Sequence, residues 1–513
     1  MEACLKISDC LRISPSKFTY AGVKDKRSKS TQWFSVHKVE PWKLVMKTKS
    51  IQKVKVGNFT FKTEPLKLGQ LSGNKFRIAL RNVLGEDSLI NQAMKQLKDN
   101  GFINYYGLQR FGNDKEVPTY EIGINLLLGK WKEAVQLILK PKTSDDPDSE
   151  VAKAKKIYFE TEDVDKACEA LDNGNSKCVE VRLLRGLKKE NRNDFVNALE
   201  NIPRNMRLLY IHSLQSFVWN SMVSKRLQVF GGKPVEGDFV LVDTKVEQTD
   251  EIRLDVEEDK EDEDCFMNKQ EIKALTSEEL PNYTIYDIVL PLPGYDVNYP
   301  EPMKQYYVEA LEEHGLTLEM TKQKVKTYTL SGNYRKMLAK VNDLSWKIMR
   351  YDDPNENLIR SDFEELKGHP EPKGVKDGQY KALVMEFCLP PSSYATMVLR
   401  EILKSDTSSS AQARQNDYHE TQPSKKIIIE SEQEQNEDKS EECCDGVQTN
   451  SLLSDAKKYE AFKNSIFNSV EVPKEKVEER VDKRKNEESD ESSKRQRVED
   501  AEQTRIVMDT PVL

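Results

Sequence analysis

An α+β fold is what this sequence predicts, and two interleaved periodicities predict it. Phe76, Ile78 and Leu80 alternate with Lys75, Arg77, Ala79 and Arg81, the period-two pattern of a half-buried strand whose other face is largely basic. Directly after it, Leu89, Ile90, Ala93, Met94 and Leu97 recur at helical spacing, with Asp87 placed as an N-cap and Gly101 just past the last turn. The other elements follow the same logic in chain order. Residues 31–36 have a strand composition, 126–139 and 208–229 favour helices, and 239–242 and 383–387 are again strand-like. Strands and helices are mixed with no fixed repeat, which is the α+β pattern.

Two stretches lack such patterns. The segment 246–282 is predicted to be a flexible acidic insertion, because Glu247 to Asp264 carry 11 acids against two bases and no hydrophobic face. Residues 404–513 read as a disordered charged tail of polar runs with few aromatics. That tail holds 18 Lys and Arg against 26 Asp and Glu, which is the whole net charge of −8, so residues 1–403 are neutral. Setting Glu247 to Asp264 aside leaves the body with a surplus of nine positive charges, so a polyanionic partner is compatible with the acidic whole; an ordinary solvated surface would look the same.

With 513 residues the chain is long enough for about three domains, which excludes a small disulfide-stapled scaffold. The mean hydropathy of −0.71 and the lack of a long apolar run predict no membrane partner. The start, MEACLKISDCLRIS, resembles neither a signal peptide nor an anchor, so cytosolic synthesis is expected. The eight cysteines (4, 10, 168, 178, 265, 388, 443 and 444) show no paired CxxC spacing, which predicts reduced thiols and no metal site.

Two constellations carry chemistry. In AGVKDKRSKSTQ (21–32), Asp25 is flanked by Lys24, Lys26 and Arg27, and neighbouring positive charge holds a carboxylate ionised. Such a group serves as a nucleophile or base, and the same residues also suit a charged surface turn. In GFINYYGLQRFG (101–112), aromatics, amides and Arg110 lie between glycines, giving stacking surfaces, base-edge groups and a phosphate partner. Tyr105, Phe111 and Arg110 would equally serve as core packing and a structural ion pair.

These segments, with LKLGQLSGNKFRIALR (66–81), LYIHSLQSFVWN (209–220), YDIVLPLPGY (286–295), SGNYRKML (331–338) and EFCLPPSSYATMVLREI (386–402), closely resemble the TruD family of pseudouridine synthases. The resemblance implies a catalytic domain with a mixed, mainly antiparallel sheet, formed by residues 1–125 and 325–403 and interrupted by an α/β insertion at 126–324. RNA would lie in the cleft between them. It implies that Asp25 is the nucleophile: the uracil leaves C1′ of the ribose, turns, and reattaches through C5, without metal or cofactor. The uridine must first be turned out of its stack. Asn104 and Tyr106 would line its pocket; relatives usually carry phenylalanine at the latter position, so the added hydroxyl needs a partner.

Lys24, Lys26, Arg27, Arg77, Arg81 and Arg110 are candidates for phosphate contacts or for orienting the acid, with Lys24 and Arg110 first. Gln32 and Asn74 would position the loop or the base, or cap backbone. His37 and His212 are expected to be structural, and Trp33, Trp219 and Trp346 core anchors. The implied substrates are transfer RNA and, as in eukaryotic members, messenger and small nuclear RNA. The basic clusters Lys483–Lys485 and Lys494–Arg497 suit a nuclear import receptor, giving a nuclear and partly cytoplasmic protein, expected to be monomeric. One departure stands out. Relatives carry a substantial segment before the GxKD element, whereas here Asp25 follows two dozen residues, so a shortened N-terminus is expected, with Lys24 or Arg27 pairing the carboxylate. The alternative function is a catalytically impaired RNA-binding paralogue or shortened isoform.

Overall fold

The structure is a computed structural model that describes residues 2–24, 28–67, 69–112, 116–143, 145–171, 178–189, 193–242, 270–321, 325–416, 418 and 503–510. Its strands in chain order are β1 (Phe18–Tyr20), β2 (Ser30–His37), β3 (Lys55–Phe61), β4 (Asn74–Leu80), β5 (Phe102–Ile103), β6 (Phe239–Leu241), β7 (Ile272–Ala274), β8 (Ile288–Leu292), β9 (Asn333–Lys336), β10 (Leu338–Ala339), β11 (Asn342–Tyr351), β12 (Tyr380–Leu389) and β13 (Gln503–Thr510). All pairings among them are antiparallel, in four sheets: β1-β2-β13-β3, β10-β5, β11-β12-β4 and β7-β6-β8-β9.

The first sheet has a core of its own. Phe34 and Val36, two apart on β2, face Cys4 and Ile7 of helix Glu2–Leu11 and Leu44 of helix Pro41–Thr48. Because β13 is antiparallel to both β2 and β3, those two strands are parallel to each other. The helix between them is therefore a crossover spanning a gap one strand wide. Residues 503–510 fill that gap, and residues 409–416 form a helix; both lie within the stretch whose composition predicts disorder, and residues 419–502 lie outside the described residues.

The main core joins everything else. β4 pairs with β12 over the register Asn74↔Leu389 to Leu80↔Leu383, and Phe76 stacks on its partner Phe387 at 5.5 Å. Helix Arg204–Phe230 runs through this core, and helix Thr119–Leu127 packs so closely on it that a Cβ at Gly123 would come within 2.3 Å of Tyr210 O.

Local details differ from expectation where tertiary context decides. Glu86, not Asp87, occupies the N-cap, and Asp87 opens the helix Asp87–Asn100. The helix expected over 126–139 is broken into Thr119–Leu127 and Trp131–Leu139 at Gly129, whose φ of 69° no continuing helix adopts. Of the acidic segment, residues 246–269 lie outside the described residues, whereas Ile272–Ala274 pair with β6 and Leu280–Asn282 form a 3-10 turn. Trp33 does not anchor a core: it is 44% exposed, because β2 turns its odd residues away from the helices. Trp219 is buried, and Trp346 packs on the core while donating to Asn91 Oδ1 at 2.9 Å.

Candidate active site

The helix Asp87–Asn100 ends at Gly101, where φ is 62° and a Cβ would stand 2.2 Å from Ala339 O. Only glycine lets β5 lie this close to β10. The contact sets Asn104 in place, with its backbone N–H donating to Met337 O at 2.8 Å. The Asn104 amide is then used at both ends. Oδ1 accepts from Arg335 Nη2 at 3.0 Å and Ser393 Oγ at 3.1 Å, and Nδ2 donates to Lys336 O at 3.1 Å.

Arg335, on β9, is fully buried and also donates to Asn104 O (2.9 Å) and Ser392 O (2.7 Å). Its guanidinium lies 4.1 Å from the Tyr106 ring centroid and 5.2 Å from that of Trp219, a desolvated cation over aromatic faces. Tyr106 is held through its backbone: its N–H donates to Asn220 Oδ1 (2.9 Å) and its C=O accepts from Asn220 Nδ2 (3.1 Å). Its ring meets Trp219 and Tyr394 edge-on at 5.6 and 6.0 Å. The ring is buried, and a base has no room on the face Arg335 covers.

Asp25, Lys26 and Arg27 lie outside the described residues, but the chain entering that loop is well tethered. Gly69 N–H donates to Ala21 O at 2.9 Å, and Lys24 Nζ donates to Asn74 Oδ1. Asn74 opens β4 opposite Leu389, from which the chain runs on into Ser392, Ser393 and Tyr394. The residue before Asp25 is thus anchored beside the segment that borders the Asn104–Arg335 cluster. Gln32 lies on β2 with its Oε1 buried and no hydrogen-bond partner among the described residues.

The other basic candidates are engaged within the protein. Arg110 Nε donates to Ser216 Oγ at 3.0 Å, and its guanidinium lies 5.3 Å from the Tyr106 ring. The basic face of β4 is neutralised. Arg77 bonds Glu386, Glu365 and Asp362 at 2.7, 2.9 and 3.2 Å, and Lys75 bonds Glu386 at 2.6 Å. The Lys75 ammonium, and then Arg77 against the cost of burial, hold the Glu386 carboxyl below the usual carboxylate range. Arg81 donates to the carbonyls of Pro354 and Glu356. Residues 354–365 and Glu386 of β12 thus supply acids and carbonyls to all three side chains, so the alternation does not leave the free phosphate-binding face it suggested.

His37 is exposed at the end of β2 rather than structural, whereas His212 bonds Gln215 at 3.1 Å. Burial, opposed by a bond to Ser224, pushes the Tyr105 hydroxyl up to about 12, so it stays protonated. Among the described residues, no cluster of three His, Cys, Asp or Glu could hold a metal, and no helix is long and apolar enough to cross a membrane.

The family model for tRNA pseudouridine synthase D (TruD) matches residues 1–402. This chain belongs to the TruD family. It is 41% identical over 417 residues to the pseudouridylate synthase 7 homologs of Bos taurus and Homo sapiens, alignments that cover 81% of this chain and 59% and 58% of those proteins. It is 33% identical to the multisubstrate pseudouridine synthase 7 of Schizosaccharomyces pombe, covering 80% of this chain and 61% of that one. The chain therefore spans about three fifths of the length of these curated relatives. A crystal structure of a TruD-type protein from Methanosarcina mazei shares the fold, with a TM-score of 0.54 at 22% identity, covering 79% of this chain and 85% of that one.

Within this TruD chain, sequence reasoning had not singled out Arg335, Asn220, Ser393 or Tyr394, although each sits in a quoted motif. A charged residue inside the strand SGNYRKML was the available signal. An arginine there is expected to point to solvent unless a buried acceptor receives it.

Proposed function

We propose that this chain isomerises uridine to pseudouridine in RNA, with Asp25 as nucleophile. The reading is supported above all by the anchoring of Lys24 on Asn74 beside the Asn104–Tyr106–Arg335 cluster, which brings the chain that carries Asp25 toward the Gly101–Gly112 loop. Asp25 adds to C1′ or stabilises positive charge there as the C1′–N1 bond breaks; the freed uracil turns, C5 bonds to C1′, and the proton on C5 leaves to restore aromaticity. The chain's own task is to hold the turned-out base while this happens. Asn104 is preset by Arg335 and Ser393, and Tyr106 by Asn220, so neither side chain must be ordered on binding. Lys24 and Arg27 are the basic residues that keep the carboxylate ionised, Arg110 borders the pocket, and Gln32 and Asn74 hold the loop.

The substrate is transfer RNA, with messenger and small nuclear RNA as further targets, a breadth in keeping with the multisubstrate name of the fission yeast relative. The two basic clusters of the tail, which lie outside the described residues, would direct the chain to the nucleus through an import receptor.

The test is tritium release from transfer RNA labelled at uridine C5, for the chain and for Asp25→Ala. Release by the parent and none by the variant, with RNA binding kept by both, is expected. Binding without release by the parent would reduce the chain to an RNA-binding member, and undiminished release by Asp25→Ala would remove Asp25 as nucleophile.

A further inference from the structure

The positive surplus of the body has a specific place. Between Lys38 and Lys67 there are eight lysines and two acids, Glu40 and Glu64, and all eight lysines are exposed. Several lysines and arginines elsewhere are ion-paired, as Lys75, Arg77, Lys347 and Lys381 are. None of the six from Lys38 to Lys55 pairs with an acid among the described residues.

These lysines surround an apolar patch that the fold leaves uncovered. Helix Pro41–Thr48 buries Leu44 and Thr48 against the sheet and turns Trp42 and Met46, one helical turn apart, outward at 62% and 59% exposure. Lys43 and Lys47 form the adjacent row, and Lys43 Nζ lies 5.6 Å from the Trp42 ring. The helix is a crossover between parallel strands, so its C-terminal end returns toward the start of β2. Lys55 is then placed by register: it and Thr31 both pair with Asp509, on opposite sides, which sets them two strand spacings, about 10 Å, apart. Thr31 follows the Asp25 loop. The lysines therefore form a line from that loop along a helix roughly 12 Å long to Trp42.

We propose that this face binds the strand of substrate RNA flanking the target uridine, with a base stacked on Trp42 and phosphates on the neighbouring lysines. The inference rests on the RNA reading above and adds where the RNA leaves the site. A polyanion matches the uncompensated charge, and an exposed indole accepts any base face. An anionic membrane would attract the same lysines, and the vesicle measurement below separates it from RNA.

The experiment measures equilibrium affinity of the full chain for a transfer RNA transcript across a salt series. Trp42→Ala is expected to raise Kd about fivefold or more. Lys43→Ser, Lys47→Ser and Lys49→Ser combined should reduce the slope of log Kd against log salt by roughly 2, from about 0.7 per lost single-strand phosphate contact. Phe159→Ala, an equally exposed aromatic on helix Glu150–Thr161, should leave Kd unchanged. All substituted side chains are exposed, and unchanged circular dichroism would establish that each variant folds. Parent-like affinity and slope in the Trp42 and lysine variants would overturn the proposal while leaving RNA binding intact. Equal weakening by Phe159→Ala would overturn it too, as would Trp42-dependent binding to phosphatidylserine vesicles with RNA affinity unmoved. A parent chain that binds no RNA would sink this and the broader reading together.

Discussion

Replacing Arg335 by leucine should loosen the Gly101–Gly112 loop without unfolding the molecule. The guanidinium supplies donors to Asn104 O, Asn104 Oδ1 and Ser392 O at 2.9, 3.0 and 2.7 Å. Oδ1 keeps the Ser393 hydroxyl, so two carbonyls bear the loss. A buried acceptor deprived of its donor costs about 1–3 kcal/mol, giving about 2–6 kcal/mol for the pair. The loss of the cation over Tyr106 adds to this, while removal of a fully buried charge works the other way by several kcal/mol. The lower part of the range, about 2–3 kcal/mol, is therefore the expected net. Because the affected contacts are local, the suitable assay is native-state hydrogen exchange over residues 102–110. The Asn104 N–H bond to Met337 O and the Tyr106 N–H bond to Asn220 should lose protection there by roughly 30- to 140-fold. Arg335→Lys keeps a charge but not the fork that reaches three acceptors, and should recover only part of the loss. Exchange within threefold of the parent in Arg335→Leu would refute the idea that this side chain organises the loop.

Gly101→Ala combines a backbone conformation that L residues rarely adopt with a contact at 2.2 Å from Ala339 O, so it should destabilise the β5–β10 pairing by about 2–5 kcal/mol. Thermal unfolding checks this, and a melting temperature equal to the parent's would show that the chain relaxes there easily. Deleting residues 503–513 should expose backbone groups on the facing sides of β2 and β3, since strands roughly 10 Å apart cannot bond to each other. Faster amide exchange across 30–37 and 55–61, reversed by adding a peptide of residues 503–510, is the expected result, and unaltered exchange would mean that the strand adds nothing to the sheet.

The elements that periodicity identified are those whose partners are implied by their own pattern. The alternation at 76–80 demands one covered face, and Phe76, Ile78 and Leu80 do pack on the main core, though only partly buried; the spacing from Leu89 to Leu97 demands one buried stripe, which Ile90, Met94 and Leu97 supply while Leu89 stays exposed. What could not be read are pairings between distant residues. Arg335 and Asn104 are 231 positions apart, and Arg77 meets Glu386 across 309. Neither side chain carries a local signature of its partner, so an arginine destined for a buried carbonyl looks like one destined for phosphate. Trp33 shows the same limit within one strand: its composition marks a strand, but which face is covered depends on helices supplied elsewhere.

Charge illustrates the point most sharply, because it can be counted without being located. Counting gave a surplus of nine positive charges in the body outside Glu247 to Asp264, and the conspicuous basic stretch was the face of β4. Folding engages that face with Glu386, Asp362 and Glu365 and leaves the lysines of 38–55 without an ion pair among the described residues. A polyanion responds to the potential that remains after pairing, not to the number of basic residues. The segment with the stronger claim on RNA is therefore the one whose lysines form no ion pair among the described residues and flank Trp42, an aromatic residue left 62% exposed.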